Sequence, residues 1–263
     1  MGEAANLFTD GEGYELLMGR WSRLVGDNFI DWLSPPNGLR WLDVGCGNGA
    51  FTERLIDRCA PAAVTGIDPS AEQLAYAKAR PGTKLAQFQV GDAQKLAFAD
   101  GSFDAAVMAL VITFVPDPAK AVMEMARVVR PGGLVATYMW DIPGGGLPMA
   151  PFYRAMRAIG IAPQQSSGAE VSRQDALRAL WEKAGLQSIE ACVIRISTVY
   201  ASFDDFWNSN TQPIGPLGKM LSGLDSGTLE QLRARLREQV VGSSNGSVSF
   251  EAFANAIKGR TPG

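Results

Sequence analysis

Three aspartates that follow predicted strands have the residue type and spacing to bind a positively charged nucleoside. Asp43 precedes alternating glycines in the stretch WLDVGCGNGAF, residues 41–51. Glycine-rich loops between a strand and a helix usually bind phosphate, but a carboxylate two positions before the first glycine would repel an anion. We therefore predict that Asp43 holds an ammonium group, directly or through water. Asp68 would accept both ribose hydroxyls, and Asp92 an exocyclic amine.

Each aspartate also has a simpler interpretation, because Asp commonly caps a helix or begins a turn. Taken singly, that interpretation is at least as good for any one of the three. Three carboxylates in register with a glycine loop favour a binding site more strongly. The loop has the spacing G-x-G-x-G rather than the G-x-G-x-x-G typical of dinucleotide-binding proteins, which argues against a nicotinamide cofactor.

Strand and helix patterns alternate from residue 39 to residue 141. Short apolar runs such as LRWLDVG are typical of strands buried on both faces, and they alternate with amphipathic helices. Ser70, Asp117 and Ser172 each precede a helical pattern and are predicted as N-caps. This alternation predicts a doubly wound α/β fold with a parallel sheet, whose ligands bind beyond the carboxyl ends of the strands.

The remaining segments suggest a cap, a lid and a final strand around that core. Residues 202–241 have helical patterns, and SVSFEAFANAIKG alternates like a strand that could pair antiparallel with residues 189–200. The predicted organisation is an N-terminal helical cap (1–38), the cofactor-binding core (39–141), a lid loop with a short helix (142–171), a core helix and strand (172–200), a helical lid insertion (201–246), and a last strand with a tail (247–263).

Composition excludes several classes of protein. The 263 residues carry a net charge of −3 and no run of basic residues, which argues against a nucleic-acid partner. The chain has no histidine, so triads and metal sites that depend on histidine are excluded, and its three cysteines form no CxxC pair. We expect no metal, no membrane association and a cytoplasmic location, since no signal peptide or membrane-spanning segment is evident. Either a monomer or a homodimer suits this composition.

Four motifs in order and at the right spacing identify a resemblance over about residues 39–141. LDVGCGNGAF, GIDPS, VGDAQKLAFADGSFD and ARVVRPGG resemble the successive motifs of class I S-adenosylmethionine-dependent methyltransferases. They are most similar to the small-molecule branch that includes the quinone-type C-methyltransferases. The resemblance implies a Rossmann-like sheet of seven strands whose last strand is antiparallel, and S-adenosylmethionine as cofactor.

The resemblance also implies which residues contact the cofactor. The glycine loop would approach its methionine part, Asp68 and Pro69 its ribose, and Asp92 with Ala93 its adenine. The full set of cofactor-binding candidates, including the cap residues discussed next, is Tyr14, Trp21, Asp43, Gly45, Cys46, Gly47, Gly49, Asp68, Pro69, Gln73, Asp92, Ala93, Ala109 and Leu110.

Aromatic residues gather in the predicted cap and lid segments. YELLMGRWSRLVG resembles the cap helix of these enzymes, and Tyr14 and Trp21 could face the sulfonium through a cation–π contact. Packing of an amphipathic helix explains the cap pattern equally well, and core packing explains SFDDFW equally well. A turn is the better explanation of Asp141. The substrate-pocket candidates are Phe114, Trp140, Asp141, Phe152, Phe206 and Trp207.

The expected function is methyl transfer to an O, N or C nucleophile of a small, apolar or aromatic molecule. Many relatives have histidine where Thr113 and Phe114 stand, so we expect proximity and desolvation rather than a histidine base to drive the reaction. The sequence identifies no catalytic residue. Two alternatives stay open, a nicotinamide-dependent oxidoreductase and a protein that binds S-adenosylmethionine without catalysis.

Overall fold

The computed structural model describes residues 19–163, 168–213, 215–240 and 246–263. Their seven strands form one sheet: β1 (Arg40–Val44), β2 (Ala63–Asp68), β3 (Ala86–Val90), β4 (Phe103–Ala109), β5 (Val129–Trp140), β6 (Gln187–Tyr200) and β7 (Val248–Arg260). The α-helices are α1 (Arg20–Leu33), α2 (Ala50–Cys59), α3 (Ala71–Ala79), α4 (Pro118–Val128), α5 (Ala150–Ala158), α6 (Gln174–Lys183), α7 (Phe203–Asn210), α8 (Gly215–Leu221) and α9 (Ser226–Gln239).

The strand order is β3-β2-β1-β4-β5-β7-β6. Strands β1 to β5 pair in parallel, whereas β7 pairs antiparallel with both β5 and β6. The predicted doubly wound sheet with an antiparallel last strand is confirmed. Strand order reverses between β1 and β4, and ligands of open α/β sheets bind at such a switch point, outside the carboxyl ends. The loop after β1 lies there.

Side chains of the central strands alternate between two apolar layers. In β1, Trp41 is fully buried in the layer shared with α1, α2, α5, α7 and α9, while Leu42 is fully buried in the layer shared with α4 and α6. Such two-sided burial explains why β1 and β4 are short, almost continuous apolar runs. The cap helix α1 and helices α5, α7 and α9 therefore lie on the same face of the sheet as α2, whereas α6 lies on the opposite face with α4.

Helix starts follow the sequence at two of the three predicted caps. The Ser70 hydroxyl accepts a hydrogen bond from Gln73 N at 3.2 Å, and the Asp117 carboxylate accepts one from Lys120 N at 3.0 Å. The prediction for Ser172 is wrong. Its buried hydroxyl donates to Ala169 O at 2.7 Å and accepts from Ile142 N, because a 3₁₀ turn precedes α6 and directs the side chain inward.

The pair of strands β6 and β7 extends past the end of β5. Trp140, the last residue of β5, pairs with Ala254, which pairs with Ile194. Six further β6–β7 pairs follow, from Arg195 with Phe253 to Tyr200 with Val248. This ribbon overhangs the carboxyl edge of the sheet and positions Tyr200 above it. No helix in the described ranges is long and apolar enough to cross a membrane.

Candidate active site

The loop after β1 turns sharply at its glycines. Gly45, Gly47 and Gly49 have φ values of +75°, +51° and +79°, in the left-handed region that favours glycine. A Cβ on Gly45 would lie 2.6 Å from Val111 Cγ1, whereas a Cβ on Gly47 would meet no atom of the described residues within 4 Å. The N–H groups of Gly45 and Cys46 both donate to Ile67 O, at 2.8 and 2.9 Å. The loop is thus fixed at Gly45 and open at Gly47.

Asp43 is fully buried beneath this loop. Thr52 Oγ1, from α2, donates to Asp43 Oδ2 at 2.6 Å, while buried Oδ1 has no hydrogen-bond partner among the described residues. Burial raises the pKa of Asp43 to about 7; the Thr52 hydrogen bond opposes this shift and nearby Asp68 adds to it. An unpaired buried carboxylate oxygen beside a glycine loop suits a cationic ligand.

Asp68, at the end of β2, closes the other side of the loop. Its Oδ2 accepts from Gly47 N and its Oδ1 from Ser70 N, both at 2.9 Å. Burial raises its pKa, and these two hydrogen bonds oppose the shift. Since each carboxylate oxygen can accept two hydrogen bonds, both retain capacity for hydroxyl donors. Pro69 follows exposed, and Gln73 is buried in the first turn of α3.

Asp92 lies two residues beyond β3, on the same edge of the sheet as Asp43 and Asp68. It is exposed, and its Oδ1 accepts from Gln94 N at 2.8 Å, so it forms a local turn while leaving its carboxylate open to solvent. Ala93 beside it is half-buried. The structure therefore brings the three predicted aspartates along one edge, on three adjacent strands.

The backbone after β4 is strained where the resemblance places cofactor contacts. Leu110 follows Ala109 and has a φ of +59°, which is unusual for a branched side chain. Its N–H donates to Tyr138 O at 2.9 Å, and Val111 next to it covers Gly45. Strained residues of this kind concentrate at functional sites.

The cap and lid aromatics form one cluster above the sheet edge. The Phe152 ring lies 5.1 Å from Phe206 and 5.8 Å from Trp207, between ring centroids. The Tyr200 ring lies 4.8 Å from Phe206 and 5.6 Å from Trp21. Cap helix α1, ribbon residue Tyr200 and helices α5 and α7 thereby share one apolar wall.

A small polar group lies inside this aromatic cluster. Trp21 Nε1 donates to Tyr200 Oη at 3.2 Å, and Asn210 Nδ2 donates to the same oxygen at 3.4 Å. We did not predict Tyr200, Asn210 or Thr52 from the sequence. The only local signal is the position of Tyr200 at the end of a β-branched strand, two residues before Ser202, which caps α7.

The other predicted pocket residues are placed differently. Trp140 is buried on the same face as the cluster, but Phe114 packs against the opposite face because it lies in a 3₁₀ turn after β4. Asp141 Oδ1 accepts from Gly144 N at 2.8 Å, which stabilises the turn before α5. Tyr14 lies outside the described residues.

Residues 42–137 match the family described as "Methyltransferase domain". The chain is 31% identical over 211 residues to the O-methyltransferase cnsE of Penicillium expansum, covering 73% of this chain and 72% of that protein. It is 34% identical over 165 residues to a demethylmenaquinone methyltransferase of Renibacterium salmoninarum, covering 61% of this chain and 66% of that protein.

A similar fold occurs in a solved structure of Haemonchus contortus phosphoethanolamine N-methyltransferase 2 in complex with S-adenosyl-L-methionine. The TM-score is 0.60 at 17% identity, covering 100% of this chain and 61% of that one. At this identity the likeness concerns the fold alone.

Proposed function

Because this chain belongs to the class I S-adenosylmethionine-dependent methyltransferases, we propose that it methylates an O, N or C nucleophile of a small, apolar or aromatic molecule. The observation that carries the assignment of the site is buried Asp43 Oδ1, which has no partner among the described residues and lies under the glycine loop. A buried carboxylate oxygen in that place is suited to the ammonium group of the methionine part.

The residues at the edge of the sheet fit the rest of the cofactor. Space beside Gly47 leaves the loop backbone accessible, and Asp68 keeps acceptor capacity for ribose hydroxyls. Asp92 and Ala93 would contact the adenine, and Ala109 with Leu110 would offer backbone groups. The bound cofactor supplies a methyl group already activated on a sulfonium.

The protein's contribution to catalysis would be alignment and exclusion of water. The chain contains no histidine, so the proposal includes no histidine base. Holding nucleophile and methyl group in line is worth several kcal/mol without any proton transfer by the protein. The cluster around Phe152, Phe206 and Trp207 would supply the apolar wall that excludes water from the acceptor. Trp21 would extend this wall over the sulfonium.

The partner we propose is a small molecule rather than a nucleic acid. A net charge of −3 without a run of basic residues argues against the many phosphate contacts that nucleic-acid binding requires. We propose a monomer or a homodimer as the active species.

Calorimetric titration with S-adenosylmethionine, S-adenosylhomocysteine and NAD tests the cofactor site. We expect binding of the first two and none of NAD. Binding of NAD alone would contradict the proposal. Release of S-adenosylhomocysteine in the presence of small aromatic acceptors would then identify the substrate.

The ribose assignment predicts that Asp68→Ala weakens cofactor binding by about 1–3 kcal/mol, the cost of leaving polar groups unpaired. The same calorimetric titration measures it. Asp104→Ala, which removes an aspartate that accepts from Arg40 N at 2.8 Å at the amino end of β4, the opposite edge of the sheet, is the matched control and should leave the dissociation constant unchanged. An unaltered dissociation constant in Asp68→Ala would show that ribose binds elsewhere.

The polar group inside the aromatic cluster predicts that Tyr200→Phe destabilises the protein by about 1–2 kcal/mol, because Trp21 Nε1 loses its acceptor. Amide hydrogen exchange should speed up in the first turns of α1. Tyr76→Phe, at a half-exposed site on α3, is the matched control. Equal exchange in α1 for both variants would show that this bond does not hold the cap helix.

A further inference from the structure

Thr52 joins the helix after the glycine loop to the strand before it. Both Thr52 and Asp43 are fully buried, and their oxygens lie 2.6 Å apart. The bond therefore spans the loop from Gly45 to Gly49, and burial separates it from bulk solvent. Of the two carboxylate oxygens, it occupies Oδ2 and leaves Oδ1 without a partner among the described residues.

The surroundings of Asp43 disfavour a carboxylate. Backbone neighbours on the adjacent strands are Gly66 and Val107, neither of which carries charge. The titratable groups that face it are the Asp68 carboxyl from β2 and the Cys46 thiol from the loop, and both would be anionic if ionised. No basic side chain in the described ranges forms an ion pair with Asp43. One hydroxyl donor alone opposes the cost of burying its charge.

We propose that Thr52 is a positioning residue of the cofactor site, which holds one oxygen of Asp43 so that the other receives the cofactor's ammonium group with release of a proton. This inference rests on the proposed function of Asp43. Without ligand, Oδ1 carries the proton in part of the molecules. When the ammonium group approaches, the O–H bond breaks, the proton leaves to solvent, and the carboxylate faces a cation.

Burial holds the pKa of Asp43 at about 7, which places this exchange near neutral pH. The direction in which cofactor affinity changes with pH follows from proton linkage. Below that pKa the ligand must displace a proton, so affinity rises with pH and levels off once Asp43 is ionised before binding. One linked proton predicts that the dissociation constant for S-adenosylhomocysteine falls about 25-fold between pH 5.5 and 7.5.

Calorimetry of the full chain with S-adenosylhomocysteine tests this directly. Titrations at pH 6.5 in buffers of low and high ionisation enthalpy report the protons released, and we expect between half a proton and one. Asp43→Asn should release fewer and should flatten the pH profile. Any slope it keeps belongs to Asp68, which is present in every variant.

Thr52→Val removes the donor that favours the carboxylate, so we expect the midpoint of the pH profile to rise by about one unit. Thr52→Ser restores the hydroxyl and should restore the midpoint. A loss of stability alone would not raise the midpoint in Thr52→Val and restore it in Thr52→Ser. Thr52→Ser also retains a usable protein if Thr52→Val fails to fold.

The outcomes separate the inference from the proposed function. Binding that is independent of pH with no proton release would overturn the role of Asp43 and Thr52 while leaving the methyltransferase assignment intact. A midpoint that is the same in Thr52→Val and Thr52→Ser would overturn the role of Thr52. Failure of the wild-type protein to bind S-adenosylhomocysteine at all would contradict the proposed function itself.

Discussion

Gly45→Ala is expected to weaken S-adenosylhomocysteine binding on the order of 100-fold, from left-handed backbone strain and overpacking that together cost several kcal/mol. Gly45 has a φ of +75°, and an added Cβ would lie 2.6 Å from Val111 Cγ1 and 2.9 Å from Val111 Cγ2. Val111 follows strained Leu110, and its β-branched side chain has few alternative rotamers through which it could make room. The loop must therefore leave the conformation that we assign to cofactor binding.

Gly38→Ala is the control for Gly45→Ala. Gly38 has a nearly identical φ of +78°, but a Cβ there would meet no atom within 4 Å in the part of the chain that the structure describes. It lies in the turn before β1, at the opposite edge of the sheet. The Gly38→Ala substitution should lower the free energy of unfolding by about 1 kcal/mol and leave the affinity for S-adenosylhomocysteine unchanged. Val111→Ala combined with Gly45→Ala should regain part of the binding. Equal affinity in both single variants would show that the loop does not bind the cofactor.

The second large effect concerns pH and the free energy of unfolding without ligand. Burial raises the pKa of Asp43 from its ordinary value of 3.8 to about 7. Between these values the folded protein binds a proton that the unfolded chain does not, so stability falls as pH rises. Below both values the contribution vanishes, and above pH 7 the penalty is complete, about 4 kcal/mol for a shift of this size.

Asp43→Asn removes this dependence, because an amide does not titrate. Urea unfolding at pH 4 and pH 8 should show the variant gaining stability relative to the wild-type protein by about 3–4 kcal/mol at the higher pH. Asp68, whose pKa is also raised, is present in both proteins and cancels in the difference. A constant difference across this range would mean that Asp43 is ionised without cost.

Asp43 and Thr52 show how far the sequence predicts the site. The position of Asp43 after an apolar run and before alternating glycines was enough to predict a cation-binding carboxylate on the edge of a sheet. Thr52 lies nine residues further, on a helix whose direction depends on the left-handed turns at three glycines. Local patterns predict the helix, but they do not predict which of its hydroxyl groups donates a hydrogen bond to Asp43.

The lid residues show a different limit. The gathering of aromatic residues in the lid segments predicts Phe152, Phe206 and Trp207 as pocket residues, and for the SFDDFW segment core packing explains the pattern equally well. Their contact with Trp21 through Tyr200 depends on the overhang of β6 and β7 past β5. That overhang follows from the pairing register of the two strands, which joins Tyr200 to Val248 across an intervening stretch of helices. Phe114 and Trp140 were both predicted to line the substrate pocket, but they pack on opposite faces of the sheet.

The sequence by itself determined the alternating strands and helices, the acidic edge and the absence of histidine, because each is written in short-range spacing or composition. Tertiary structure alone decided which oxygen of Asp43 has no partner among the described residues, which face each aromatic residue occupies and how the cap helix meets the lid. These depend on strand register and burial, where residues distant in the chain compete for the same space.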